Sequence, residues 1–258
     1  MRRSRQVTND QVPRIEVQIY EIQNPREAEA VIELGVDRIG SVILSEEDWK
    51  MPVIREAIDV SRGTHVKHSL IPLFNTKGIL SNAIEYYRPD IIHFCERLTD
   101  DEGHIVLLEA FVDLQIWIKE RFPEVEIMRS VPIAATGNNE MIPTIEIAES
   151  FEAASDYFLI DTWFGKEPVE GYIGITGHTC DWAVARRLVE SSAIPVILAG
   201  GLSPENVYDG VTAVRPFGAD SCTRTNALNS DGKPVRFKKD PARVKTFVEE
   251  VRRAEKNL

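Results

Sequence analysis

Two stretches of this chain carry the residue types that hold a dianion. Pro195-Val-Ile-Leu-Ala-Gly-Gly-Leu-Ser-Pro-Glu-Asn-Val207 runs an apolar strand into Gly200 and Gly201, then into a capped helix start. Adjacent glycines let backbone approach a ligand closely and turn N–H groups toward an anion. Asp220-Ser-Cys-Thr-Arg-Thr-Asn226 adds hydroxyls and a guanidinium, with Thr223 and Arg224 suited to phosphate. The same glycines would also serve a plain tight turn, with Arg224 as a surface side chain. Asp161 ends the apolar run Tyr157-Phe-Leu-Ile-Asp161. A carboxyl half-buried at a strand end has its pKa pushed toward neutrality, where it can donate or accept a proton; capping a loop amide is its other use. Gly171-Tyr-Ile-Gly-Ile-Thr-Gly-His-Thr-Cys-Asp-Trp182 is a Gly- and Thr-rich loop that could close over a ligand, with Gly177 offering backbone, or simply lie on the surface.

His93 and His68 are candidate bases, since a neutral imidazole works near pH 7. Packing in a strand wall is the competing expectation for both. His68, His93 and Cys95 lack a diagnostic metal spacing, and neither a metal nor a cofactor is expected. Trp163 and Trp49 could stack on a planar ligand, whereas the thiols of Cys180 and Cys222 have no activating neighbour in sequence.

These residues need a scaffold that brings them to one end. Apolar, β-branched runs over 16–20, 37–42, 65–70, 91–94, 126–131, 157–161, 195–199 and 219–222 alternate with helical spacings such as Leu107, Phe111, Leu114, Ile118 and Val244, Val248, Val251. Near-continuous apolar strands suit a parallel sheet covered on both faces. Asn24-Pro25, Ser203-Pro204 and Asp240-Pro241 pair a capping side chain with Pro at a helix start, and Gly35 marks a helix end. Eight strand–helix units in 258 residues fit one (β/α)₈ barrel over 15–258, with 1–14 a polar leader; an open doubly wound sheet is the alternative. In a barrel the loops after the strands form the functional mouth, and those after strands 7 and 8 commonly hold phosphate.

Composition narrows the class of ligand. Apolar residues make up 43% and charged residues 28% of the chain, with a net charge of −11, which disfavours nucleic acid and anionic membrane as partners. A small phosphorylated metabolite and a homo-oligomeric partner are compatible with it. Three Cys do not make a disulfide framework, and no apolar segment follows the basic start, so a cytoplasmic location is expected.

The chain resembles the phosphoribosylanthranilate isomerase family of the tryptophan pathway. The resemblance is carried by Leu159-Ile-Asp-Thr162, Gly174-Ile-Thr-Gly-His-Thr-Cys-Asp-Trp182, the stretch 195–207, Ala213-Val-Arg-Pro-Phe-Gly-Ala-Asp220 and Lys239-Asp-Pro-Ala242. It implies a ribulose-phosphate-binding (β/α)₈ barrel that converts an aminoaldose phosphate to an aminoketose phosphate by an Amadori rearrangement. Asp161 matches the family's general acid on the ring oxygen, and Gly200, Gly201 and the loop 222–224 match its phosphate grip. The family's Ile-Cys-Gly-Ile, whose cysteine is the base, is here Ile19-Tyr-Glu-Ile22, placing Tyr20 at the base position and Glu21 at the glycine. A phenol of ordinary pKa near 10 is a weak base at neutral pH. The family's arginine for the substrate carboxylate is missing from Ser45-Glu-Glu-Asp-Trp-Lys50, where only Lys50 is cationic. These departures predict altered substrate or chemistry, with Tyr20 contacting substrate; a catalytically silent phosphometabolite-binding protein is the alternative.

Overall fold

Eight parallel strands pair in chain order and close on themselves in the computed structural model, which describes residues 14–137 and 142–258. Each is followed by a helix: β1 (Glu16–Ile19), α1 (Pro25–Glu33), β2 (Arg38–Ile43), α2 (Pro52–Ser61), β3 (Lys67–Pro72), α3 (Lys77–Tyr87), β4 (Ile91–Phe94), α4 (Glu109–Arg121), β5 (Glu126–Ala134), α5 (Thr144–Phe151), β6 (Tyr157–Trp163), α6 (Trp182–Ser191), β7 (Val196–Leu198), α7 (Val207–Val214) and β8 (Gly218–Ser221). A hairpin, β9 (Asn226–Leu228) and β10 (Pro234–Lys239), then precedes α8 (Pro241–Glu255). The barrel closes where β1 pairs with β8, from Glu16 opposite Gly218 to Ile19 opposite Ser221. This excludes the open sheet. Of the leader expected over 1–14, all but Arg14 lies outside the described residues.

The helix starts follow the capping logic of the sequence. Asn24 accepts from the Glu27 amide, Asp181 from Ala183 and Val184, and Asp240 from Ala242 and Arg243, with Pro25 and Pro241 opening their helices. Ser203-Pro204 instead forms a turn, and α7 begins only at Val207. Leu107 also departs from expectation: it precedes α4 and is exposed, because the apolar face of that helix is Leu114 and Ile118. The β9–β10 hairpin was not anticipated, although Asp231-Gly232 is a turn signal and Gly232 has a positive φ of 74°.

Two layers of apolar packing hold the fold. Outward strand residues such as Ile39, Val131 and Phe158 meet α-helical residues such as Val31, Phe151 and Val251. Inside the barrel lie Tyr20, Met128, Leu159 and Ile197. The first residues of several strands plug the opposite end. There the Arg38 guanidinium pairs with Glu16 and stacks 4.1 Å from the Tyr157 ring centroid, and Lys67 pairs with Glu126 at 2.5 Å. These pairs fill the lower end of the barrel, and the loops after the strands form its mouth at the other.

Candidate active site

Asp161 sits on β6, and its Oδ1 accepts the Thr162 amide at 2.8 Å. The loop after β6 folds back across the carboxyl. At Gly174 (φ 104°) an added Cβ would lie 2.2 Å from Asp161 Oδ2, so a glycine is needed for the backbone to pass. This enclosure leaves the carboxylate only partly exposed to water. Burial raises the Asp161 pKa to about 7, with the Thr162 amide opposing the rise and Glu167 adding to it.

The same loop is pinned to its neighbours. Thr162 Oγ1 donates to the His178 carbonyl at 2.7 Å, and Arg224 donates from Nε and Nη2 to the Gly177 carbonyl at 3.0 and 2.6 Å. Gly200 (φ 80°) packs so closely that a Cβ would meet Thr162 Oγ1 at 2.2 Å, and Gly201 (φ 59°) lies against the His178 backbone. These contacts bring Gly177, Gly200, Gly201, Thr223 and Arg224 around one cavity of about 340 Å³, with Asp161 and Asp220 in its wall. A second chamber of about 460 Å³ runs into the barrel and also reaches Asp161 and Asp220. A ligand spanning them would have one end among glycine amides and a guanidinium, and its middle beside two carboxyls.

Asp220, on β8, faces the site beside Asp161. It accepts from Gln18 Nε2 at 3.1 Å, and burial lifts its pKa to about 8, opposed by that bond and by Lys239 and reinforced by the charge of Asp161. It lies near the mouth end of a buried strand, as Asp161 does, and that position is the signal in the sequence for both. Glu21, at the family's glycine position, also lines the inner chamber, because β1 has ended at Ile19 and strand alternation no longer turns it away.

Tyr20 and His93 are brought together, but as a packed polar pair. The Tyr20 hydroxyl lies 2.6 Å from both Ser69 Oγ and His93 Nδ1, and His93 Nε2 lies 2.8 Å from Ser130 Oγ. The Tyr20 ring occupies the space that the missing side chain of Gly40 leaves, where a Cβ would approach it to 2.1 Å. Burial drives the Tyr20 pKa well above that of an ordinary phenol, with the Ser69 hydrogen bond opposing. Burial and the Arg129 charge hold His93 near 3, so its imidazole is neutral and both ring nitrogens are engaged.

Three expected substrate contacts are not at the site. His68 points into the strand–helix layer, where Nε2 lies 2.8 Å from Ser41 Oγ, and burial lowers its pKa to about 3. Strand alternation explains this: Ser69 faces Tyr20 inside, so His68 faces out. It lines neither cavity, and so cannot join His93 and Cys95 around a metal. Trp163 is fully buried, its ring against Gly103 and Gly165, with no face left for stacking. Lys50 is on the rim, its ammonium 4.9 Å from the Tyr86 ring centroid, in a separate groove with Glu47 and Asp48.

A profile of the N-(5'-phosphoribosyl)anthranilate (PRA) isomerase family matches residues 119–250. The chain belongs to the PRA isomerase family. PRA isomerase 1 of Methanosarcina mazei is 25% identical over 242 residues, covering 92% of this chain and 94% of its own. The PRA isomerase of Moorella thermoacetica is 29% identical over 252 residues, covering 94% and 92%. The solved PRA isomerase of Thermotoga maritima superposes with a TM-score of 0.65 at 22% identity over 92% of this chain and 98% of that one, a likeness of fold. Among the described residues no helix is long and apolar enough to cross a membrane.

Proposed function

We propose that this protein is an acid/base aldose–ketose isomerase acting on a phosphorylated ribosylamine. The observation that carries the reading is Asp161, a carboxyl holding its proton near neutral pH at the junction of a glycine- and arginine-lined cavity and an inner chamber. In that position it can protonate a sugar ring oxygen while Gly200, Gly201, Thr223 and Arg224 hold the phosphate. Ring opening then leaves a C1 iminium, and loss of the C2 proton leads through an enaminol to the ketose.

The rim favours a changed amine substituent. Glu47, Asp48 and Lys50 line one groove, and Lys50 is stacked on Tyr86, so a substrate carboxylate would meet more negative charge than positive. Phosphoribosylanthranilate and its N-phenyl analogue, which lacks the aryl carboxylate, should both turn over, the analogue with the lower KM. Asp161→Asn should cut kcat on both by about 10²–10⁴-fold, the usual worth of a general acid. Failure of the wild-type protein to convert either compound would sink this reading. It would favour the second one, a silent phosphometabolite-binding protein, which draws support from the locked phenol of Tyr20 at the family's base position.

A further inference from the structure

Glu21 follows β1 directly and has φ of 64°, a left-handed backbone that glycine takes freely and side-chain-bearing residues resist. The resembling family has glycine here. Strained residues survive where surrounding structure enforces them, and they cluster at functional sites. The left-handed turn ends the strand alternation, so Glu21 lines the inner chamber together with Tyr20. Its side chain is 2% exposed, and Oε1 accepts from Arg236 Nε at 2.5 Å across from the β9–β10 hairpin. Its other oxygen, Oε2, is buried with no hydrogen-bond partner among the described residues. An unpartnered carboxylate oxygen facing a ligand chamber is free to take a proton from what binds there.

The other groups around the chamber are poor bases. Tyr20 is held protonated by burial, His93 has both ring nitrogens engaged, and burial pushes the thiols of Cys95 and Cys222 well up. Asp161 and Asp220 keep their protons to about neutral pH.

We infer that Glu21, held by Arg236, is the general base of the isomerisation, replacing the strand-1 cysteine of the family. This rests on the isomerase reading above. Asp161 gives its proton to the ring oxygen as the C1–O bond breaks and the nitrogen lone pair forms C1=N⁺. Glu21 then takes the C2 proton; the C–H pair becomes the C1=C2 bond, and the iminium pair returns to nitrogen. The proton on Glu21 goes next to C1 as the C2 hydroxyl gives its own to Asp161, which yields the ketone and restores both carboxyls.

The test compares wild type with Glu21→Gln, Glu21→Gly and Glu21→Asp on phosphoribosylanthranilate and its N-phenyl analogue, each also deuterated at C2. Glycine suits the backbone angle, so that variant guards against loss of fold. The Gln and Gly variants should lose about 10²–10⁴-fold in kcat, with KM little changed and a larger C2 isotope effect than wild type. Glu21→Asp should recover part of the rate. A Gln or Gly variant with wild-type kcat, or a loss confined to KM, overturns the base assignment while leaving an active isomerase. Wild-type protein inert on both compounds overturns the isomerase reading and the base with it.

Discussion

Replacing Asp161 by Asn should make the protein more stable and less active, and the stability gain should depend on pH in a defined direction. Burial raises this carboxyl from its ordinary 3.8 to about 7. The folded state therefore holds the proton more tightly than the unfolded chain, and stability from this group is complete below pH 3.8. It is lost as pH rises through 7, where folding must keep a charge in a partly shielded site. Asn removes that cost while its own carbonyl oxygen can still accept the Thr162 amide. At 1.36 kcal/mol per unit, the gain reaches a ceiling of about 4 kcal/mol at pH 8, falling to about 2 kcal/mol at pH 5 and below about 1 kcal/mol at pH 4. Urea unfolding of both proteins across this range gives the difference directly, and a parallel melt at pH 8 should show Tm higher by roughly 10 °C. A variant no more stable than wild type at pH 8, or a difference that does not shrink on acidification, would refute the claim that the carboxyl is desolvated.

Arg224→Ala should raise KM for a phosphorylated substrate by about 10- to 100-fold, the worth of a charged hydrogen bond, and leave the dephosphorylated compound unaffected; equal effects on both would remove Arg224 from the phosphate grip. Gly40→Ala places a methyl where the Tyr20 ring lies, so urea unfolding should show a loss of about 1–3 kcal/mol, and an unchanged midpoint would count against the packed Tyr20–His93 pair. His68→Gln should leave kcat and KM at wild-type values, because its ring faces the helical layer; a large drop in kcat would return His68 to the site.

The eight strands were legible because parallel strands covered on both faces are written as apolar runs, and capping pairs such as Asn24-Pro25 and Asp240-Pro241 fixed the helix starts between them. Asp161 and the glycine pair were legible for a related reason: each ends such a run, and the barrel carries strand ends to one mouth. Side-chain direction was harder. The facing of His68 depends on register, which a one-residue shift reverses, and Trp163 is covered partly by the loop carrying Gly103, distant in sequence. Lys50 is drawn away by Tyr86, a contact no local pattern announces. Glu21 reaches the chamber only through a left-handed φ that its residue type argues against.

Isomerisation of a phosphorylated ribosylamine beside Asp161 would turn its C2 carbinol into a ketone. Carbon NMR of the N-phenyl phosphoribosylamine labelled at C2 tests it most directly, since an aldose carbinol carbon and a ketose carbonyl resonate far apart. Wild-type protein should convert the carbinol signal to a ketone signal, and Asp161→Asn should leave it in place over the same period. An unchanged C2 signal with wild-type protein, or conversion by the Asn variant at the wild-type rate, would contradict the account.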